Sequence, residues 1–337
     1  MKAFGKARLK EVLDILAADA TVWVPAATTG GSAFLPWGPG VKPALAVNPA
    51  RGPKAALFPA TEKVYRYDLT GGGWTVTPLA AAGRTVLFAV RSCDAAAIGI
   101  LDEVMLGGSC AEACYGTRRG DSVIVALGCR VPGENCFCAS LGIDPGECAE
   151  ADVQLYDLGE SYGLTARTEV GRATVAGLAS AGLLDDAEVA PPVAEGFAST
   201  VDTAGLAEKL AMMFDHPLWE ELAIRCLGCG ACTYVCPTCH CFDLADAKKD
   251  ARCGYKLRAW DSCMAGEYTL MAGGHNPRPG RKERVRQRFM HKLCYGPRRH
   301  GRPLCTGCGR CMEVCPVNVG ITRVIEQVKE AAADGER

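Results

Sequence analysis

Two short stretches decide the fold of the C-terminal part of this chain: CLGCGACTYVCP at residues 226–237 and CTGCGRCMEVCP at residues 305–316. Each stretch spaces four cysteines as C-x2-C-x2-C-x3-C and ends in proline, so the chain contains an internal repeat. Cysteine runs of this spacing hold cubanes of four irons and four sulfides. Three thiols of a run bind one cubane. The fourth, which lies beyond the next turn, points to the neighbouring cubane. The repeat therefore predicts two [4Fe–4S] clusters.

The position of the fourth cysteine predicts crossed ligation, in which each run completes the other cluster. The ligands of the first cluster are then Cys226, Cys229, Cys232 and Cys315. The ligands of the second are Cys305, Cys308, Cys311 and Cys236. Zinc ribbons are the alternative, but they carry isolated C-x2-C pairs and not two identical four-cysteine runs. We therefore expect a ferredoxin-like domain with two clusters.

The rest of the composition is that of an ordinary globular protein. Of 337 residues, 49% are hydrophobic and 22% are charged, and the formal net charge is -1. This balance argues against bulk attraction to nucleic acid or to an anionic membrane surface. We find no signal peptide and no apolar stretch long enough to span a bilayer, so we expect a cytoplasmic protein. In that reducing compartment, clusters explain 20 cysteines better than disulfides do.

The pattern of strands and helices changes near residue 200 and predicts two domains, so the expected fold class is α+β. Residues 1–200 predict a mixed α/β domain, whose clearest strand signals are TVWVPA at 21–26, TVLFAV at 85–90, SVIVAL at 122–127 and a hairpin at 152–168. Residues 186–200 are rich in alanine and proline and are predicted to link the halves. Residues 201–337 predict an α-helical di-cluster domain, with the insertion between the two cysteine runs folded as helices around them.

Several stretches resemble one known family. The features that carry the resemblance are VRSCDAAAIGILDEV at 90–104, YGTRR at 115–119, CRVPGENCFCAS at 129–140, FDHPLWEELAIRCLGCGACTYVCPTCHCFD at 214–243, WDSC at 260–263, HK at 291–292 and CTGCGRCMEVCPV at 305–317. They resemble the iron–sulfur β subunit of cytosolic sulfhydrogenases, which are NAD(P)-linked [NiFe] hydrogenases. The same features resemble a related protein, an iron–sulfur component of anaerobic sulfite reductase.

The resemblance implies a third cluster in the N-terminal domain. The cysteines that match its ligands in the family are Cys93, Cys129, Cys136 and Cys138. Four thiols near strand ends suffice for another [4Fe–4S] cluster, although their spacing alone is no standard motif. The alternative is that some of them are ordinary buried cysteines, which pack as small hydrophobic side chains. The chain departs from the family pattern at Cys110 and Cys114, in a segment that is usually acidic, and these two or Cys148 are alternative ligands.

Three more cysteines lie in the insertion: Cys239, Cys241 and Cys263. One interpretation is that they are buried thiols beside a neighbouring cluster. The other is an additional metal or sulfur-handling site, which would also use His240 or Cys253. The sequence does not choose between them. Cys294 belongs to no motif, and we expect it to be structural.

The insertion also carries a long basic stretch. Its members are Arg278, Arg281, Lys282, Arg284, Arg286, Arg288, Lys292, Arg298, Arg299 and Arg302. The usual interpretation of such a stretch is a solvated helix face. The functional interpretation is a local counter-charge for anionic clusters, or a docking surface for an acidic partner.

The sequence predicts clusters that carry electrons, but it shows no motif for a substrate pocket. It has no phosphate-binding loop, no dinucleotide fingerprint and only five histidines, and we assign no catalytic residue and no cofactor beyond the clusters. The resemblance implies a flavin-containing NAD(P)-binding subunit as one partner and the small and large subunits of a [NiFe] hydrogenase as the other.

We therefore expect an electron-transfer subunit that relays single electrons between these partners, with no nucleic acid bound and no membrane insertion. A sirohaem sulfite reductase subunit is an alternative terminal partner. A different alternative is that the chain is itself a sulfur or polysulfide reductase, with Cys239, Cys241 and Cys263 as its reactive thiols.

Overall fold

The computed structural model describes residues 1–46, 48–70, 73–79, 83–188 and 196–331, and within these ranges the chain forms two compact units. The first unit consists of Met1–Phe58, Ala81–Ser199 and Thr306–Cys308. The second consists of Pro59–Ala80, Thr200–Cys305 and Gly309–Arg337. Helices and sheets occur in both, which confirms the α+β class. Within the predicted linker, residues 189–195 lie outside the described residues.

The helices and strands are numbered here in chain order. The strands are β1 Lys2–Gly5, β2 Thr21–Thr28, β3 Gly31–Pro36, β4 Thr61–Asp68, β5 Thr75–Pro78, β6 Thr85–Val90, β7 Ser122–Leu127, β8 Val153–Asp157, β9 Ser161–Ala166, β10 Asp185–Asp186, β11 Phe242–Lys248 and β12 Cys253–Trp260. The α-helices are α1 Leu9–Leu16, α2 Lys54–Leu57, α3 Ser92–Leu106, α4 Ala113–Gly120, α5 Glu169–Ser180, α6 Leu206–Met212, α7 Leu218–Arg225, α8 Ala231–Tyr234, α9 Arg281–Met290, α10 Gly296–His300, α11 Arg310–Glu313 and α12 Ile321–Glu330. A π-helical turn, His291–Tyr295, lies between α9 and α10.

An eight-stranded mixed sheet forms the centre of the first unit, in the order β10-β1-β9-β8-β7-β6-β2-β3. Strands β2, β6, β7 and β8 run parallel to one another in its middle. All residues of β7 and nearly all of β6 are buried, which is why these two strands are almost continuously apolar. The strands predicted at 21–26, 85–90 and 122–127 and the hairpin of β8 and β9 are confirmed.

The carboxyl ends of β6 and β7 meet at one edge of this sheet, because the two strands are parallel. A bulge interrupts β6 at Ala89, whose φ of 59° is a left-handed conformation that costs alanine about 1–2 kcal/mol. Just beyond the bulge, the buried guanidinium of Arg91 donates to the carbonyl oxygens of Gly128, at 3.3 Å, and Leu45. These bonds tie the start of α3 to the loop that follows β7 and to the segment that follows β3.

A four-stranded antiparallel sheet, in the order β11-β12-β4-β5, belongs to the second unit. The expectation of an all-helical insertion is therefore wrong for residues 242–260, which form the hairpin of β11 and β12. The pattern that predicts a strand is weak there because β11 exposes six of its seven residues and needs no apolar face. A buried ion pair between Glu62 and Arg258 joins β4 to β12.

Residues 306–308 pack within the first unit against the loop that carries Phe137 and Cys138. The amide of Phe137 donates to the carbonyl oxygen of Gly307 at 2.8 Å. Gly307 has a φ of 62°, and a Cβ atom at this position would lie 2.6 Å from the Cα atom of Cys138. Only glycine combines this conformation with such a close approach of two backbones.

We expect Gly307→Ala to lower the melting temperature of the anaerobically purified chain much more than Gly228→Ala does. Gly228 holds the same place in the first cysteine run, with a φ of 72°, but its Cβ would meet nothing within 4 Å. The control therefore carries backbone strain alone, about 1–2 kcal/mol, whereas Gly307→Ala adds a backbone clash. Thermal unfolding measures both variants, and equal losses would contradict the close approach.

Candidate iron–sulfur centres

One cavity of the second unit gathers thiols from both cysteine runs. Among its lining residues are Cys226, Cys229, Cys232 and Cys315. These are the four side chains predicted for the first cluster, three from the first run and one from the second. The remaining lining is largely apolar and includes Met264 and Phe289. Four thiols in an apolar cavity are the donor set that a [4Fe–4S] cubane takes, so the residues fit the group.

The backbone turns back toward the sulfurs at glycines and thereby supplies amide donors. Gly228 and Gly230 have φ values of 72° and 74°. The amide of Gly228 donates to the sulfur of Cys226, and the amide of Val319 donates to the sulfur of Cys315, each at 3.3 Å. Such bonds stabilise thiolate charge and set the reduction potential of a cluster.

Cys236, the fourth cysteine of the first run, is buried against an ammonium group. The Nζ atom of Lys292 donates to the sulfur of Cys236 at 3.2 Å, to the hydroxyl of Thr238 at 2.8 Å and to the carbonyl oxygen of Leu304 at 2.9 Å. A hydrogen bond from Cys239 and the charge of Lys292 hold the pKa of Cys236 well below its usual value, against the effect of burial. A buried thiolate at this position is what iron ligation requires.

A second buried cation, Arg288, stands near thiols of both runs. It is 5% exposed. Burial acts to lower its pKa, but the charges of Cys232 and Cys311 outweigh burial and raise it well above the usual value. Burial also raises the pKa of Cys311 to about 12, so this thiol needs a nearby positive charge to ionise.

The basic stretch of the sequence therefore has two kinds of member. Arg288 and Lys292 are buried counter-charges beside the cysteines. Lys282, on helix α9, is partly exposed and lies 3.8 Å from the carboxylate of Glu220. The counter-charge interpretation therefore applies to Arg288 and Lys292, and the solvated-face interpretation applies to Lys282.

The four cysteines of the N-terminal domain lie at the carboxyl edge of the large sheet. Cys93 lies in the first turn of α3, and Cys129 follows β7. Cys138 packs with Cys93 in a small buried group. Burial raises the pKa of Cys138 to about 12, and the charges of Cys136 and Cys129 add to the effect. The structure thus brings these thiols into one neighbourhood.

Sequence reasoning missed one member of that buried group. Cys308, from the second cysteine run, packs in it with Cys93 and Cys138, and the thiol of Cys136 donates to the carbonyl oxygen of Cys308 at 3.8 Å. Nothing in the spacing of the motifs signals this contact, because it depends on the close approach at Gly307.

The alternative ligands of the N-terminal domain are Cys110, Cys114 and Cys148, and their surroundings differ. Cys110 is exposed. Cys114 lies in the first turn of α4, where its amide donates to the carboxylate of Glu112 at 3.3 Å. The thiol of Cys148 donates to Glu150 at 3.6 Å, and burial raises its pKa to about 12.

Comparison with known proteins gives two matches. The model of a family described as "4Fe-4S dicluster domain" matches residues 225–319, which enclose both cysteine runs. Sulfhydrogenase 2 subunit beta of Pyrococcus furiosus is 35% identical over 264 residues, which cover 76% of this chain and 77% of that protein. The chain belongs to the sulfhydrogenase β-subunit family. It is an iron–sulfur electron-transfer subunit of the hydrogenase type, and it carries [4Fe–4S] clusters.

Two further features concern the described residues of this sulfhydrogenase β-subunit family member. No helix in those ranges is both long and apolar enough to cross a membrane. In the same ranges, no three His, Cys, Asp or Glu side chains are grouped so that they could hold a single metal ion.

This family member has a second cavity, in the second unit, lined by the cysteines of its insertion. It contains Cys239, Cys241 and Cys263, together with Arg288 and Lys292. A hydrogen bond from Cys263 is the largest influence on Cys241 and lowers its pKa to about 6, while burial acts in the opposite direction. The same bond, with burial, raises the pKa of Cys263. We name Cys241 and Cys263 the thiol pair.

Two histidine side chains also line this cavity in the family member. Burial, the neighbouring His240 and nearby cations lower the pKa of His291 to about 3. His291 is therefore neutral at physiological pH and adds no charge to the two cations.

We expect Lys292→Met to lower the reduction potential of the neighbouring cluster by about 60–130 mV. One charge-assisted hydrogen bond is worth about 1.5–3 kcal/mol, and about 59 mV corresponds to 1.4 kcal/mol for one electron. The potential falls because the reduced cluster, which is the more negative form, loses a donor and a positive charge. An anaerobic redox titration followed by electron paramagnetic resonance (EPR) measures it.

The matched control for this titration is Lys282→Met, which removes an equal charge from helix α9 at the surface. It should leave the potential within a few tens of millivolts of the parent value, because solvent and salt screen exposed charges. Equal shifts in the two variants would contradict the assigned role of Lys292.

Proposed function

We propose that this chain relays single electrons between a flavin-containing NAD(P)-binding subunit and the small and large subunits of a cytoplasmic [NiFe] hydrogenase. The observation that carries the proposal is the 35% identity, over most of both chains, to a protein named as the β subunit of a sulfhydrogenase. The two cysteine runs supply the carriers, because a [4Fe–4S] cluster passes one electron at a time when bound. A flavin on a partner is needed to split the electron pair of a reduced nicotinamide into single electrons.

Three clusters per chain follow from the proposed ligands. The first set is Cys226, Cys229, Cys232 and Cys315, and the shared cavity supports it. The second is Cys305, Cys308, Cys311 and Cys236, and the low pKa of Cys236 beside Lys292 supports it. The third is Cys93, Cys129, Cys136 and Cys138, and their common location at the edge of the large sheet supports it.

The contact at Gly307 gives the proposed relay a path from the N-terminal thiols to the second cysteine run. Cys138 and Cys308 pack in one buried group, and one backbone hydrogen bond of 2.8 Å joins Phe137 to Gly307. A cluster at the N-terminal thiols and a cluster that uses Cys308 would then be close neighbours. Electrons hop readily only between close centres, so this contact favours transfer between these two carriers.

Buried side chains and backbone amides balance the charge of the thiols in the second unit. Arg288 and Lys292 are each 5% exposed and place two positive charges among the thiols. At the first set of ligands, the amides of Gly228 and Val319 donate hydrogen bonds to the sulfurs of Cys226 and Cys315. Fixed donors of this kind stabilise the extra negative charge that each passing electron brings.

The experiment that tests the function is anaerobic affinity purification of the tagged chain from its native host, followed by analysis of the co-purified subunits. We expect nickel and flavin to co-purify in amounts comparable to the chain. Sirohaem absorbance without nickel would contradict the hydrogenase assignment and favour the sulfite reductase alternative.

A control with Cys229→Ser and Cys311→Ser variants separates assembly from electron transfer. These variants should still recruit the partners if the surfaces are intact, but they should lose electron flow from NAD(P)H to the terminal subunit. Flow that survives in both variants would contradict the relay.

The chain could instead reduce sulfur or polysulfide itself at Cys239, Cys241 and Cys263. Assaying the isolated, anaerobically reconstituted chain with a chemical reductant and polysulfide distinguishes the two functions. The relay predicts no turnover that depends on Cys263, whereas turnover lost in Cys263→Ala with intact clusters would overturn the relay in its pure form.

A further inference from the structure

The thiol pair, Cys241 and Cys263, lies outside the eight-cysteine pattern of the two runs and has no part in the proposed relay. All twenty cysteines of the chain fall within the described residues, and none of them forms a disulfide there. Both side chains line the same cavity. Two thiols that share a cavity can form a disulfide when their Cα atoms lie about 4.4–6.8 Å apart.

The hairpin of β11 and β12 holds the pair together. Phe242, the first residue of β11, pairs with Trp260, the last residue of β12. One step further, the amide of Asp261 donates to the carbonyl oxygen of Cys241 at 3.0 Å. The strand register therefore fixes Cys241 beside the chain segment that leads directly to Cys263.

A hydroxyl network fixes the other end of that segment. Ser262 is 2% exposed. Its hydroxyl accepts from the hydroxyl of Thr233 at 2.8 Å and from the amide of Met264 at 3.1 Å. Thr233 lies within the first cysteine run, in helix α8. The segment that carries Cys263 is thus anchored to the run itself, and the sulfur pair is built into the fold.

Sulfur atoms continue from the pair toward a proposed cluster ligand. Cys239 lines the same cavity as the pair, and its side chain hydrogen-bonds to Cys236. The amide of Cys239 also donates to the carbonyl oxygen of Cys236 at 3.4 Å. Cys239 is therefore near both the pair and the proposed ligand Cys236.

Charged and polar hydrogen-bond donors line the cavity around the thiol pair. Tyr268 hydrogen-bonds to Cys241, and the buried cations Arg288 and Lys292 line the cavity. They stabilise a thiolate, which is the reactive form in thiol–disulfide chemistry.

We propose that the thiol pair is a redox-active dithiol that exchanges two electrons with the clusters of the same chain. Oxidation of the fully protonated dithiol breaks both S–H bonds, releases two protons and forms one bond between the two Sγ atoms. The two electrons leave one at a time, and two oxidised clusters take one each. Reduction runs the same step backwards, with two reduced clusters as donors and two protons taken up.

This inference rests on the proposed function for its electron carriers and adds a step to it. Clusters carry single electrons, whereas a dithiol stores two. The pair would let the chain collect two electrons before it passes them on. The alternatives are that the two thiols ligate a metal or that they remain inert, and both are outcomes of the test.

The test is an anaerobic redox titration of the full chain with its clusters bound, in the presence of mediators. Samples held at a series of potentials are quenched in acid with a chelator, labelled with an alkylating agent, then reduced and labelled again with a second agent. Mass spectrometry reports which cysteines were blocked. We expect Cys241 and Cys263 to become blocked together, linked to each other, with a two-electron dependence on potential. Cys294, buried in the π-helical turn, is the internal control and should stay alkylated throughout.

Two results would overturn the proposal. One is a thiol pair that stays fully alkylated across the whole range in which the cluster signals titrate. The other is metal ligation, seen if Cys263→Ser loses iron equal to one cluster.

Two single variants, Cys241→Ser and Cys263→Ser, serve as controls once their cluster signals are shown to match those of the parent. In each variant the remaining cysteine of the pair should be alkylated at every potential, because it has lost its disulfide partner. The mediators replace the partner subunits, so the titration does not depend on the presence of a hydrogenase. Failure to recruit a hydrogenase would contradict the proposed function, but the titration would still test the dithiol. The iron content of the chain, measured before the titration, reports separately on the clusters.

Discussion

The central constraint on this chain is electrostatic: many thiolates must lie close together inside a protein. Buried thiols keep their protons unless positive charge is near, and burial raises the pKa of Cys138 and Cys311 to about 12. The cations Arg288 and Lys292 oppose this effect, and iron would do so more strongly when bound. The hydrogen bond of 3.2 Å from Lys292 to Cys236 is the clearest instance of this balance.

Much of the second unit follows from the need to hold those cations among the sulfurs. Lys292 comes from the π-helical turn His291–Tyr295, where Lys292, Leu293 and Cys294 are all buried in succession. A π-turn inserts an extra residue into a helix and is often found at functional sites. Here it brings an ammonium group inward beside Cys236, whereas the partly exposed Lys282 of the same basic stretch lies 3.8 Å from the carboxylate of Glu220.

The sequence predicted the chemistry better than the fold around it. Cysteine spacing was sufficient to propose the first set of ligands, and the structure gathers those four thiols in one cavity. The parallel strands β6 and β7 were also predictable, because they are buried on both faces and therefore apolar throughout. The hairpin of β11 and β12 was not, since β11 is exposed and shows no alternation. The contact of Cys308 with Cys138 was not predictable either. It joins residues that are distant in sequence, and it depends on a single glycine, Gly307, that no motif marks as a contact site.

The central claim is that the two cysteine runs exchange their fourth ligands, and the most direct measurement compares the cluster signals of three serine variants. Cys229→Ser marks the signal of the first cluster, and Cys311→Ser marks that of the second, in EPR spectra of anaerobically reconstituted full-length chain. Crossed ligation predicts that Cys236→Ser perturbs the signal that Cys311→Ser removes and leaves the other intact. If Cys236→Ser instead perturbed only the signal that Cys229→Ser removes, each run would hold its own cluster, and crossed ligation would be contradicted.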